Sequence, residues 1–293
     1  MGIGWRTVIV RTSNKIIRLL IYFGKRNVTS SRQELEPLTS ERALQSEATL
    51  TEQVTERSLD IGGERPGGLI YQHTGLPTDV RREDERYIAA LGAFVSVAGT
   101  GEFGIEWWRF EENAPVPDLL RSLAHVSFKV VNLAKSIEGK DLLLGPIELE
   151  PSVAIAFIQF DGFPIQFIQI DPQASDIWAK EVAFNYHSVW QPRKTVHVKD
   201  VHLEKLKMYA AQYENDYGIG WVRYYDDAPY PDIVKNIAHV VYEVDEIETA
   251  MEGRTIIIPS NNPDAGLWVG FIEVDGAPVE FIQIDRATAR ADL

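Results

Sequence analysis

Six histidines, many carboxylates and no cysteine set the chemistry open to this chain. Without thiols there is no disulfide, no thiolate metal site and no cysteine nucleophile. Any bound metal must be held by His, Asp, Glu or Gln, which suits hard or borderline divalent ions. Four of the histidines recur at one spacing: His73 with His187 and His125 with His239, each pair 114 residues apart. His197 and His202 fall outside that pattern, in a polar stretch from 192 to 202 where solvent exposure is expected. His125 opens a segment in which Val126, Phe128 and Val130 alternate with Ser127 and Lys129. That is a period-two strand with the imidazole on its polar side. His239 opens the matching segment. At the corresponding place in the closing strand stand Gln166 and Glu280, each followed by Phe-Ile-Gln-Ile-Asp. Where such strands curl into one cup, two imidazoles and a carboxylate or amide converge. That set leaves open coordination positions of the kind catalytic metals use, iron included.

The elements that must position these residues come from a duplication. Shifted by 114 residues, the sequence lies over itself without a gap from Leu69 onward. Gly104-Ile105 falls on Gly218-Ile219, Trp107 on Trp221, Arg109 on Arg223 and Ala124-His125-Val126 on Ala238-His239-Val240. Asp161-Gly162 falls on Asp275-Gly276, and Phe167 to Asp171 falls on Phe281 to Asp285. Within a copy the reading is strand, helix, then strands. Asn132 caps a short helix that runs through Glu138 and is ended by Gly139. Two strands follow, Ala154 to Phe160 and Pro164 to Ile170, joined by a tight hairpin turn at Asp161-Gly162, with one more strand near Asp141 to Leu144. The first half of the copy reads as a looser version: a strand at Tyr71 to Gly75, a helix at Arg82 to Leu91, then strands at Phe94 to Val97 and Ile105 to Phe110. Each copy is thus a pair of βαβββ modules. The fold class is α+β: a tandem repeat of paired modules forming cupped half-barrel sheets with short helices outside. The domains are 67–175 and 181–288, preceded by a basic segment, 1–32, and a polar linker, 33–66.

A strand opening with His, a short helix and a closing hairpin whose last strand carries Glu or Gln resembles the module of the vicinal-oxygen-chelate (glyoxalase, bleomycin-resistance, extradiol dioxygenase) superfamily. The resemblance covers roughly Leu69 to Asp285. It implies a divalent metal ion (Fe, Zn, Mn, Ni or Co) bound by side chains on the first and last strands of paired modules, and a small oxygen-bearing metabolite as substrate. Carried over by position, the second copy offers His187, His239 and Glu280. The first offers His73, His125 and Gln166, with Glu106 as a fourth. Gly220 stands where Glu106 would recur, so the two sites are not equivalent. Glu280 or Glu106 would double as ligand and general base. Isomerase or lyase chemistry needs a redox-inert ion and ring-cleaving dioxygenase chemistry needs Fe(II); these residues permit both. The alternative is a non-catalytic small-molecule binding protein of the resistance type.

Other signals point elsewhere. Gly99 to Gly104 fits G-x-G-x-x-G, but the strand-like Ile-Glu-Trp-Trp follows where a dinucleotide site needs a helix N-terminus. Trp107, Trp108 and Trp221 either line the cup or, with more weight, pack between modules. Pro115 to Asp118 and Pro229 to Asp232 read as rigid crossovers. The formal net charge of −14 excludes a duplex nucleic-acid partner. From 1 to 32 the chain holds seven basic residues and no acidic one. Three readings stay open for it: a transit peptide directing the protein to an organelle such as the mitochondrion, a helix lying on a membrane surface, or a tail without a role in a cytoplasmic protein. A homodimer is also open, because the copies can pair within one chain or across two.

Overall fold

A computed structural model describes residues 68–99, 101–171, 174, 182–204, 207–212 and 215–288, together with short strand pieces nearer the N-terminus. The first copy runs β1 (Leu69–Pro77), β2 (Arg86–Ile88), β3 (Ala93–Val97), β4 (Ile105–Phe110), α1 (Asp118–Ser122), β5 (His125–Lys129), α2 (Leu133–Ile137), β6 (Leu142–Glu150), β7 (Val153–Phe160) and β8 (Phe163–Ile170). The second runs β9 (Asn185–Pro192), β10 (Val201–Leu203), β11 (Met208–Gln212), β12 (Ile219–Tyr224), α3 (Asp232–Asn236), β13 (His239–Glu243), α4 (Ile247–Met251), β14 (Thr255–Asp264), β15 (Leu267–Val274) and β16 (Ala277–Ile284).

Each copy is one mixed sheet. Its strand order is β6-β7-β8-β5-β1-β4-β3-β2 in the first, with Glu64–Arg65 added beside β1, and β14-β15-β16-β13-β9-β12-β11-β10 in the second. The two orders are the same, which confirms the duplication. In each, the opening strands of the two modules pair antiparallel at the centre, β5 on β1 and β13 on β9, and each is parallel to its own module's last strand. First and last strands are therefore neighbours, and their inward side chains form one patch. The hairpins form as expected: Asp161 and Gly162 have φ of 51° and 75°, Asp275 and Gly276 of 52° and 82°. Two consecutive left-handed residues give the turn whose twist matches that of the strands it joins.

Two faces of the sheets are buried for different reasons. One face packs copy against copy through a single apolar cluster that includes Tyr71, Phe103, Phe128, Phe167, Tyr186, Tyr217, Trp221, Tyr242 and Phe281. At its centre the rings of Tyr71 and Tyr186 stack at 4.1 Å. The opposite, inward face of copy one buries Val95, Trp108, Val153, Ile155, Phe157 and Ile168. A 3-10 turn at Ala89–Leu91 reaches across to β6, so the mouth of this half-barrel is narrowed from its two edges.

Three expectations change. The helix at 82–91 is instead a loop, the strand β2 and that 3-10 turn. The two Pro-x-Pro-Asp segments enter one-turn helices, with Pro117 and Pro231 at the caps. The segment treated as a basic amphipathic helix holds, where it is described, antiparallel strand pairs: Gly4–Trp5 with Tyr22–Phe23 and Val10–Thr12 with Lys15–Ile17. The rest of 1–32 and the polar linker, apart from Glu64–Arg65, lie outside the described residues. Among the described residues no helix is long and apolar enough to cross a membrane.

Candidate metal centre

Strand pairing dictates which side chains meet. In copy one, Gln166 on β8 lies beside Ser127 on β5, which lies beside His73 on β1. One step along, His125 on β5 lies beside Gly75 on β1, which lies beside Glu106 on β4. Neighbouring strands are roughly 5 Å apart, so four candidate donors occupy two adjacent rungs of one inward face. His73, His125, Glu106 and Gln166 are 3%, 2%, 8% and 2% exposed.

Their atoms converge. Nε2 of His73 is 3.2 Å from Nε2 of His125 and 3.6 Å from Oε2 of Glu106. Gln72, on the bulge of β1, accepts through Oε1 from Nδ1–H of His73, which leaves the lone pair of Nε2 facing the cluster. Trp108 donates its indole N–H to Oε2 of Glu106 at 3.1 Å. Burial, and secondarily the neighbouring His73 ring, push the pKa of His125 well below the ordinary imidazole range, against the pull of Glu106. Its ring is thus neutral at pH 7, the form that ligates metal. Gln166 keeps a buried Oε1 without a hydrogen-bond partner. Gly75 makes the arrangement possible: a Cβ there would stand 2.0 Å from the His125 ring.

Ligands about 2.1 Å from one ion and roughly 100° apart stand about 3.2 Å from each other. The His73–His125 spacing equals that separation and the His73–Glu106 spacing is somewhat longer. The cluster is not a preformed cage: among the described residues no group of three or more His, Asp or Glu stands ready around a common point. His73 and His125 are instead within hydrogen-bond distance of one another.

Copy two differs, and the register shows why. Trp190 pairs with His239 where Gly75 pairs with His125, and Ser188 pairs with Val241 where His73 pairs with Ser127. The opening strands therefore correspond with an offset of 115, from 73 to 188, while later strands keep 114. The loop from β3 to β4, Ala98 to Gly104, is one residue longer than its counterpart and absorbs the difference. Gapless superposition of His73 on His187 is corrected accordingly. His187 sits on the bulge of β9, at the place of Gln72, and is exposed, whereas His239 and Glu280 are buried. Nε2 of His239 lies 3.2 Å from Oε2 of Glu280. The other two positions hold Ser188 and Gly220. Trp190 fills the space: a Cβ on Gly220 would meet its ring at 2.7 Å. Copy two thus brings His239 and Glu280 together and leaves His187 outside.

Sequence reasoning missed Gln72, Gly75 and Trp190, and gave the cup-lining reading that suits Trp108 less weight than packing between modules. Matching Tyr71 with Tyr186 and Pro77 with Pro192, both 115 apart, would have exposed the slip. Trp107 and Trp221 belong to the packing between copies, while Trp108 belongs to the inward face.

No protein-family model and no curated protein matches the chain. Solved structures similar to it include a xylose isomerase-like TIM barrel/4-hydroxyphenylpyruvate dioxygenase fusion protein, at 9% identity and a TM-score of 0.39 over 84% of this chain and 54% of that one. The chain therefore spans about half the length of that protein. A mutant of 4-hydroxymandelate synthase from Streptomyces coelicolor is similar at 12% identity and a TM-score of 0.38, over 76% of this chain and 86% of that one. Glyoxalase I from Zea mays follows at 14% and 0.27, over 73% and 92%. At this level the likenesses decide nothing about activity. The architecture rests on the chain's own strand order, which is that of tandem paired four-stranded modules forming two curled sheets, the second module of each copy being βαβββ, the arrangement the vicinal-oxygen-chelate resemblance implies.

Proposed function

We propose that the protein is a divalent-metal-dependent enzyme of the glyoxalase/dioxygenase type, acting on a small oxygen-bearing metabolite at a single centre in copy one. His73, His125 and Glu106 would hold the ion, with the Gln166 amide oxygen as a fourth donor. The observation that carries this reading is the 3.2 and 3.6 Å spacing of three donors buried on one inward face. A bound ion would supply Lewis acidity, stabilising negative charge on an oxygen of the substrate.

The chain's residues prepare that centre. Gln72 holds the His73 tautomer, Trp108 holds one carboxylate oxygen of Glu106, and the apolar wall of Trp108, Phe157 and Ile168 excludes water. For both Nε2 atoms to serve as donors to an ion, His125 would carry its hydrogen on Nδ1 instead of sharing it with His73. Glu106 is the carboxylate at hand for proton transfer, because Gln166 is an amide and cannot serve as a base. Glu280 and His239 lie behind Trp190 in the other copy and form a structural pair.

The test is to strip the full-length protein with chelator and reload it with Fe(II), Zn, Mn, Ni or Co. Each form is then offered α-hydroxy ketones, α-keto acids and catechols, following product formation and oxygen uptake beside Glu106→Gln. Metal-dependent turnover abolished by that change supports the reading; oxygen uptake with Fe(II) alone would select the dioxygenase branch. Stoichiometric capture without turnover would replace it with a binding role, and neither capture nor turnover would overturn it.

A further inference from the structure

We propose that Trp108 is a positioning residue for Glu106, acting through its indole N–H rather than its bulk to set how tightly copy one takes a divalent ion. The proposal rests on the metal reading above. Both residues lie on β4, two positions apart, so their side chains leave the same face of the strand. The indole nitrogen donates to Oε2 of the carboxylate at 3.1 Å, and Trp108 and Glu106 are both buried. A carboxylate with one oxygen tied in this way has little freedom to turn away from the two imidazoles. The same indole sets its edge against His125, with ring centroids 4.7 Å apart at 87°, and lies nearly parallel to His73 at 6.1 Å. One side chain therefore bonds Glu106, packs on His125 and lies beside His73.

The second copy supports the pairing of the two roles. There Gly220 stands in place of Glu106 and Val222 in place of Trp108, so at these two positions the carboxylate and the indole are absent together. Trp107 provides an internal contrast. It faces the other copy, donates its N–H to the backbone oxygen of Asp275 at 3.2 Å and belongs to the packing between copies.

Cobalt(II) binding to the full chain, followed by visible absorption and calorimetry, tests this. Trp108→Phe is expected to weaken cobalt binding about tenfold or more, the usual size of losing a partner that orients a ligand, and to change the cobalt absorption envelope. Trp107→Phe, checked for fold by near-ultraviolet circular dichroism, is expected to change neither. Because Trp108 acts through Glu106, the double variant Glu106→Gln/Trp108→Phe should bind no more weakly than Glu106→Gln alone. Unaltered binding in Trp108→Phe, or losses that multiply in the double variant, would overturn the proposal. If the unaltered protein takes up no cobalt, the metal reading itself falls, and this proposal with it.

Discussion

At the residue scale, the centre of copy one depends on a residue with no side chain. The His125 ring occupies the volume a Cβ at position 75 would need, at 2.0 Å. Gly75→Ala is therefore expected to push His125 off the cluster and lower cobalt affinity by more than tenfold, with His73 and Glu106 still in place. Affinity unchanged in that variant would mean His125 is not a ligand. The sequence made His125, Glu106 and Gln166 legible because their strands keep one register across the repeat. It misled at His73 and His187, where chemical identity at equal spacing concealed a one-residue slip. The slip comes from the one extra residue in the loop Ala98 to Gly104, and a change of loop length leaves no mark on the periodicity of the strands before it. Gln72 could not be found from pattern alone, nor could the bond from Trp108 to Glu106, since both depend on neighbours that only the folded strands bring close.

At the scale of the elements, the closing hairpins of each copy were legible from composition, because Asp-Gly is a turn with a physical reason behind it. Gly162 has φ of 75° and open space where a Cβ would go. Gly162→Ala is thus expected to cost about 1 kcal/mol by backbone strain alone, read as a shifted denaturation midpoint with an unchanged slope. A loss several times larger would show that the turn carries packing as well. The segment 82–91 reads as a helix by its charge and apolar spacing, yet tertiary bonds hold it otherwise. Arg82 reaches Asp275 of the other copy at 2.6 Å, and Glu85 takes a two-pronged bond from Arg109. That bond also holds the Glu85 carboxyl below its ordinary pKa. With its first turn so tethered, the chain pairs β2 with β3 and coils only at Ala89–Leu91.

At the scale of the whole molecule, the two copies are held by an aromatic layer that excludes water from its hydroxyls. Tyr242 donates to the backbone oxygen of Phe103 and lies 3.2 Å from the hydroxyl of Tyr71. Burial first, then Tyr71 and Tyr186, raise the Tyr242 pKa well above its ordinary value. Its folded pKa exceeds the unfolded value of about 10, so the associated stability is fully present below pH 10 and is lost as pH rises beyond it. Tyrosine absorbance at 295 nm should show Tyr242 ionising together with loss of near-ultraviolet dichroism, and Tyr242→Phe should remove that part of the signal. Ionisation well before any loss of structure would contradict a closed layer between the copies.

The asymmetry of the molecule follows from these scales together. Copy one keeps three converging donors and the glycine that makes room for them, while copy two has filled the same volume with Trp190. Metal content by plasma mass spectrometry, on protein purified without a metal-affinity column, tests this most directly. The expected result is close to one ion per chain, lost in His73→Ala and Glu106→Gln and kept in His187→Ala and Glu280→Ala. Metal lost instead with His187 or Glu280, or absent from every form after reconstitution, would contradict a single centre in copy one.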